Sequence, residues 1–507
     1  MPHRITTYKR YRLSNDVLIL ILQKMTPVAL YRTCQAFSRV WRLVEEFQNL
    51  RYIFELAVTG MQDGPVPHSM RSPLIRLNLL TAYKRDWPRL AWTDELKVTG
   101  IPSTATKVDV SGNFLYYTGL DALELSELPS CRTGRTPSQT RHIKYKTSQA
   151  DAVAIDPLQS LIIAGNIIPA NGQNVLRLKI RNLFNFGQHP KTLGPYFDCP
   201  THIAESMTDM SITIYGNRVA VSINYAGGVT RHLLLDWSTQ QAMWLDEEDI
   251  VLLSPYFLLG VRKVPGKAML YLYDISDMRN VAIKREYELP PIWVNAVMRF
   301  GRNIAPFGDN AAPATSLFYA DPSARVLLLS AKQPGPSATG MHWMFINEGF
   351  FRPTAYADRR SVPWSYWSNL CLIRELDSNL IIGQPQVIGS RVVYLEKDGT
   401  RMSRGHERAS LGTIDFAPLA EAAAPCSPKL WSLIGKQSIL KPNETHRDIP
   451  SATTQGLPVQ GIRATEDNIV LLLENHGNLK PVNILTFGVP APAAPHGNHH
   501  PATHFSH

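Results

Sequence analysis

Apolar positions follow two regimes along this chain. Over the first fifty residues they recur every three or four places, and from about residue 100 they come in short runs broken by Gly, Pro, Asn and Asp. The first regime predicts two or three short amphipathic helices. Leu18, Ile21, Leu22 and Met25 share one helical face; Ser14 or Asn15 can cap that helix, and Asp16 sits at the positive end of its dipole. Thr26-Pro27 starts a second helix, because the N–H that Pro lacks is unused in a first turn. Leu30, Cys34, Phe37, Val40 and Val44 continue the stripe, with Arg32, Arg39 and Arg42 on the ridge between them. So small a unit either packs as a cap on its own protein or buries its apolar face against a partner.

The second regime gives seven pairs of strand-like runs. They are 108–117 with 122–128, 152–164 with 175–183, 211–223 with 232–237, 250–261 with 269–275, 317–329 with 342–346, 386–395 with 411–416, and 461–473 with 482–487. The first runs repeat at 38 to 77 residues, against about 40–45 for a regular WD-type blade. The prediction is a mainly β protein: a small N-terminal helical unit, then a β-propeller of about seven irregular blades whose last strand pairs near the first. A two-sheet sandwich is the other arrangement the pairs allow, but seven repeated units favour radial closure, which leaves few open edges. Between the two parts, Leu80, Tyr83 and Trp87 lie at helical spacing and Pro88 ends the helix; Trp87 and Trp92 are expected to pin it to the first blade. The organisation expected is a flexible basic N-terminus (1–12), the helical unit (13–51), a helical linker (52–99), the propeller (100–488) and a tail (489–507). The tail is rich in Pro, Ala and His and cannot bury enough apolar surface to order itself.

At the helical unit the residues resemble a known family. The F-box pattern is Leu-Pro, an acid, an apolar helix ending in Ile-Leu, a spacer, Leu-aliphatic, then Cys-Arg and an aromatic. Here Leu13-Ser14 stands for Leu-Pro, Asp16 for the acid, Ile21-Leu22 for Ile-Leu and Leu30-Tyr31 for the later pair, and Cys34 and Trp41 complete it. Ser14 replaces the Pro and Gln35 the Arg, and both changes bear on adaptor binding. The match covers about 40 residues. The following segment, YIFELAVTGMQDG then LNLLTAYKRDWPRLAW between Tyr52 and Trp92, is similar to the one behind the F-box in a large family of mushroom-forming fungi. That family leads into a β-rich receptor region with strands like LLLDWSTQ (Leu233 to Gln240) and YLYDI (Tyr271 to Ile275). The resemblance implies the substrate receptor of a Skp–cullin–F-box ubiquitin ligase. Leu13, Ser14, Val17, Leu18, Ile21, Leu22, Met25, Leu30, Tyr31 and Cys34 would meet the Skp-type adaptor, and through it cullin and RING subunits. The propeller would hold a target protein, and this chain would supply proximity rather than chemistry.

Composition fits that expectation. No apolar run reaches the eighteen residues of a membrane-spanning helix, and there is no signal-peptide pattern, which points to cytoplasm or nucleus. The five cysteines are scattered without a Cys-x-x-Cys pair, so neither a zinc site nor a disulfide framework is indicated, and no cofactor is expected. Residues 1–51 hold nine Lys and Arg against three carboxylates, within a chain of net charge +10. Such a patch steers an acidic partner; the acidic Skp adaptor fits better than nucleic acid.

No nucleophile elbow, metalloprotease helix or phosphate loop is present. A propeller scaffold without ligase docking is the second reading. A propeller enzyme, the third, would need titratable residues gathered at the channel. Two segments could recognise a target. Pro129 to Gln149 carries Arg132, Arg135, Arg141, Lys144 and Lys146 and no acid, which suits a phosphorylated or acidic segment or else a mobile basic loop. Phe350 to Trp367 combines six aromatics with Arg352, Arg359 and Arg360. Its Arg352, Arg360, Trp364 and Trp367 are candidate target contacts, with packing between blades as the alternative.

Overall fold

The computed structural model describes residues 13–488 except 68–70, 137–138, 148, 171, 202, 204, 305–315, 336–339, 352–358, 398–408 and 417–441. The expected basic N-terminus (1–12), the tail (489–507) and Arg352 lie outside the described residues.

Four helices open the chain: α1 (Asn15–Leu22), α2 (Pro27–Ala36), α3 (Ser38–Glu46) and α4 (Gln48–Thr59). The caps are those the sequence predicts. Ser14 accepts the Val17 N–H, Thr26 accepts the Ala29 N–H, and Pro27 lies in the first turn of α2. Leu22, Leu30, Cys34, Val40, Leu43, Val44 and Leu50 form a closed core, onto which Leu18, Met25, Trp41 and Phe54 pack. Phe37 does not continue the stripe. The helix breaks there into extended backbone (φ −133°, ψ 108°), which shifts the phase of the next helix, brings Leu43 inward and leaves Phe37 60% exposed. α4 ends at Gly60, whose left-handed φ of 65° suits a residue without Cβ.

The seven pairs of runs become seven antiparallel sheets of four strands each, with one extra strand in blade 4. From the inside out, blade 1 is Lys107–Ser111, Phe114–Thr118, Ala122–Glu127 and His142–Lys146; blade 2 is Ala152–Asp156, Leu161–Ala170, Gln173–Asn182 and Tyr196–Pro200. Blade 3 is Met207–Tyr215, Arg218–Tyr225, Thr230–Asp236 and Gln241–Leu245; blade 4 is Asp249–Leu252, Phe257–Val264, Lys267–Asp274 and Ala282–Glu288. Blade 5 is Val297–Gly301, Val326–Lys332, Gly340–Asn347 and Leu372–Asp377; blade 6 is Ile381–Ile388, Arg391–Lys397, Ala409–Asp415 and Asn443–Asp448. Blade 7 takes Val459–Ala464, Asn468–Leu473 and Val482–Thr486 from the end of the chain and Asp94–Val98 from its beginning. Asp94 pairs with Thr486 and Val98 with Val482, so the ring is closed by strand pairing between its two ends. The propeller therefore starts at residue 94, ahead of the boundary expected at 100. The Asp94–Val98 strand alternates but has only two apolar residues, Leu96 and Val98, and buries neither fully, so it does not announce itself.

One hydrogen bond recurs in every blade. The residue after the third strand donates its N–H to the carbonyl of the residue before the second: Leu128 to Asn113, Leu183 to Ser160, Trp237 to Asn217, Ile275 to Tyr256, Glu348 to Arg325, Phe416 to Ser390 and Phe487 to Asp467, at 2.7–3.1 Å. Six of these donors are apolar and buried. The seventh, Glu348, pairs instead with Arg325 at 2.7 Å.

The helices sit on the closure seam. α5 (Pro73–Asp86) buries Leu80 and Tyr83, and Trp87 follows at its end. Trp87 stacks on Phe487 at 4.1 Å, with the Arg391 guanidinium 4.7 Å from its ring, and Arg447 lies 3.9 Å over Trp92. The connector is thus pinned to blades 6 and 7, not to the first blade, because those blades present the aromatic and Arg partners. Nearby, Met61–Asp63 pairs with Phe318–Ala320, a strand inserted between the first two strands of blade 5.

Candidate functional site

The candidate adaptor residues divide by burial. Leu22 is 1% exposed, and Leu30 and Cys34 are buried with it, so these three hold the helical unit together and cannot meet a partner. They are conspicuous in the sequence because the unit needs a core. Leu18, Met25 and Tyr31 are half-buried, and Tyr31 stacks on Phe54 at 5.2 Å. Ser14 is used as the α1 cap. Leu13, Val17 and Ile21 are exposed, Ile21 at 46%. With Leu20 they make a stripe at spacings of three and four that its own core leaves uncovered. Arg39 donates to the Leu13 carbonyl at 2.7 Å and to Asn15 Oδ1, tying the start of α3 to the start of α1 beside this stripe.

The basic segment Pro129 to Gln149 is largely neutralised within the fold. Arg132 is buried and donates to Asp467 Oδ1 at 3.0 Å, to Glu466 Oε2 at 2.8 Å and to the Phe318 carbonyl at 3.3 Å. Arg135 pairs with Glu127 and Lys144 with Glu124. Arg132 is a joint between blades 1 and 7, and Arg135 and Lys144 are paired within blade 1. The acids of Arg132 lie more than 300 residues away in sequence, which hid that pairing.

The aromatic–Arg segment lies on the outer rim. Ser361–Val362 adds a parallel strand to the outermost strand of blade 4, and Trp367 is fully buried against Tyr287, Phe350 and Phe351. Trp367 is therefore core and not a target contact. Trp364 is half-buried, edge-on to Trp367 at 4.9 Å. The Arg360 side chain is 77% exposed, 3.9 Å from Glu286, and Arg359 caps the Tyr366 ring at 4.4 Å.

The inner strands surround a cavity of about 840 Å³ along the propeller axis. Most of the cations lining it are matched by acids. Lys107 meets Asp209 at 3.2 Å, Arg463 pairs with Asp109, and Arg135 pairs with Glu127. Arg299 and Arg302, from blade 5, differ: their hydrogen bonds go to neutral oxygens. Arg299 donates to the Glu248 carbonyl at 2.7 Å and to Thr230 Oγ1 at 3.3 Å; Arg302 donates to Ser222 Oγ at 3.1 Å. Ser222 Oγ also lies 2.9 Å from His232 Nδ1. Burial pushes this imidazole below its usual pKa; Asp249 and the Glu248 backbone oppose that, while Arg302 and Arg299 reinforce it. Asp249 spends its oxygens on backbone N–H groups, Oδ1 on Ile250 at 2.9 Å and Oδ2 on Phe300 at 2.8 Å. The inner strand of blade 4 has only four residues, and side chains of blades 3 and 5 meet here.

Among the described residues no group of three His, Cys, Asp or Glu side chains is placed to hold a metal ion, and no helix is long and apolar enough to cross a membrane.

Fold and surfaces together define a seven-bladed β-propeller with a helical unit seated on its seam. No protein-family model matches the chain, and no curated protein matches it. Among solved structures, the WD40 domain of SCAP from fission yeast is similar over 78% of this chain and 98% of its own, at 9% identity and a TM-score of 0.38. The β-propeller domain of the Trilobed protease from Pyrococcus furiosus is similar over 76% and 94%, at 8% identity and a TM-score of 0.36. The tricorn protease is similar over 75% of this chain and 33% of its own, at 10% identity and a TM-score of 0.38.

Proposed function

We propose that this chain is a protein-interaction scaffold of the F-box kind: a substrate receptor whose helical unit docks on a Skp-type adaptor and whose propeller carries the target. One observation carries the reading. Leu13, Val17, Leu20 and Ile21 stay exposed on a unit whose core is already complete without them. A continuous apolar stripe left in water on a small helical unit is characteristic of a docking face. The F-box pattern at these positions supports the same partner, and the surplus of Lys and Arg over residues 1–51 suits an acidic one. Ser14 in place of Pro keeps the helix start, because it caps α1. In this reading, cullin and RING subunits join through the adaptor, and ubiquitin transfer belongs to them.

The test is co-purification of the full chain with a purified Skp-type adaptor. Val17→Asp with Ile21→Asp should abolish recovery of the adaptor while circular dichroism and the unfolding transition stay unchanged, because both side chains already face water. Leu22→Asp is a poorer probe, since it would break the helical core as well. Full adaptor recovery by the V17D/I21D variant removes the ligase reading and leaves a propeller scaffold.

A further inference from the structure

We propose that Arg299 and Arg302, with the hydroxyls of Ser222 and Thr230, form a binding site for a phosphate-bearing small molecule in the axial cavity of the propeller. The site is independent of adaptor docking, because none of its residues belongs to the helical unit.

Charge points to an anion. A guanidinium inside a fold is normally matched by a carboxylate, as Arg132, Arg218, Arg325 and Arg391 are here. The other cations lining this cavity that are named above follow the same rule. Arg299 and Arg302 do not: among the described residues neither has a carboxylate within ion-pair distance, and both line the cavity. The nearest acid discussed above, Asp249, is engaged by two backbone N–H groups. Two guanidiniums without an ion-pair partner thus face one space, with the Asp249 carboxylate beside them.

Geometry places the two guanidiniums together. Arg302 is anchored on Ser222 and Arg299 on Thr230, whose hydroxyl in turn donates to Asn224 Oδ1 at 2.9 Å. Ser222 and Asn224 lie two residues apart on one strand, on the same face and about 7 Å from one another. The two guanidiniums are therefore anchored close together, on neighbouring positions of one hairpin. A phosphate monoester carries close to two negative charges at neutral pH, which matches two unpaired guanidiniums better than a single carboxylate does. The Ser222 hydroxyl lies beside the same group, while the Thr230 proton is held by Asn224. The cavity, about 840 Å³, has room for the organic part of the molecule.

The probes are inorganic phosphate and pyrophosphate, titrated into the full chain at constant ionic strength and read by calorimetry and by the shift in melting temperature. Succinate, a dicarboxylate with about the two charges of a phosphate monoester but without its tetrahedral oxygens, is the comparison. Pyrophosphate is expected to bind and to raise the melting temperature. Arg302→Gln should weaken binding by about tenfold or more, and R299Q/R302Q should abolish it. Ser222→Ala, which leaves both guanidiniums in place, should weaken it less, and K107Q should not matter. Because Arg299 also holds backbone carbonyls, R302Q and S222A carry the test if the double variant fails to fold. The proposal is overturned if neither phosphate binds, if R302Q binds pyrophosphate as tightly as the native chain, or if succinate binds as well as pyrophosphate.

Discussion

Arg132 offers the sharpest test of how this propeller is held closed. Its guanidinium joins the loop before the last strand of blade 1 to Glu466 and Asp467 in blade 7, and reaches the Phe318 carbonyl of the blade 5 insertion. Ser130 Oγ adds a 2.7 Å bond to Asp467, and Tyr83 of α5 donates to the Glu466 carbonyl at 2.7 Å. Arg132, Glu466 and Asp467 are all at least 96% buried. Arg132→Met keeps most of the volume but leaves two carboxylates in the interior without their cation. Removing one partner of a buried ion pair costs about 3–5 kcal/mol. With a urea slope of about 3 kcal/mol/M, the midpoint should fall by roughly 1–1.7 M. Equilibrium urea unfolding followed by tryptophan fluorescence measures this directly, since Trp87 lies in the same seam. The matching variant R132M/E466Q/D467N removes all three charges and should recover a large part of the loss, because the destabilisation comes from unpaired charge rather than from a missing attraction. A midpoint shift below about 0.3 M for R132M, or no recovery in the triple variant, would refute this account of the seam.

Trp87→Ala should cost about 3–5 kcal/mol, because the ring is fully buried between Phe487 and Arg391; a smaller loss in the same urea assay would mean that α5 is only loosely seated. Trp367→Ala should destabilise by a similar amount, while Arg360→Ala should leave the unfolding midpoint where it is, and equal effects would contradict the division of that segment into core and surface. His232 has a folded-state pKa below its unfolded value of about 6.5, so the unfolded chain takes up the proton first and stability falls as pH drops below that value. His232→Gln should flatten this slope between pH 7 and 5; parallel pH profiles for the two proteins would sink the assignment.

The second and third strands of each blade were legible in the sequence because they are the most buried. Leu161, Ile162, Ile163, Leu176, Leu178 and Ile180 of blade 2 show the contrast with turns that periodicity detects. Outer strands were not legible. Asn443–Asp448 reads Asn-Glu-Thr-His-Arg-Asp and forms a strand only because blade 6 supplies its partner. The blade-ending hydrogen bond was also hidden. Glu127-Leu128, Asn182-Leu183, Asp236-Trp237, Asp274-Ile275, Asp415-Phe416 and Thr486-Phe487 share a polar–apolar step, but the requirement is on a backbone N–H and on burial, which many side chains satisfy. At the site level, helical spacing put Leu18, Ile21, Leu22 and Met25 on one face but could not tell exposed Ile21 from buried Leu22, since neighbours on a helix differ by about 100°, and it passed over exposed Leu20. The cavity cluster was invisible for a simpler reason. Residues 222, 230 and 232 share one hairpin of blade 3, but Arg299 and Arg302 reach them only once blade 5 has folded beside it.

α4 decides how the two parts of the molecule relate. Leu50, near its start, lies in the core of the helical unit; Tyr52 and Leu56, within the next two turns, lie in the core that joins α5 to blades 6 and 7. Tyr52 also donates to Asp63 Oδ1 at 2.8 Å and to the Leu317 carbonyl at 3.1 Å, and Arg76 binds the same two acceptors at 2.8 and 3.0 Å. One continuous helix of 12 residues, about 18 Å long, therefore belongs to both cores at once. A helix shared in this way cannot bend between them without breaking its own hydrogen bonds or uncovering one of the cores. The exposed stripe of α1 is thus held at a fixed angle to the propeller axis rather than on a tether. For a receptor, that rigidity has a consequence. In the proposed receptor, a partner on Val17 and Ile21 and a target on the propeller would be presented to each other in one geometry, so proximity would be set by the fold and not by the reach of a linker.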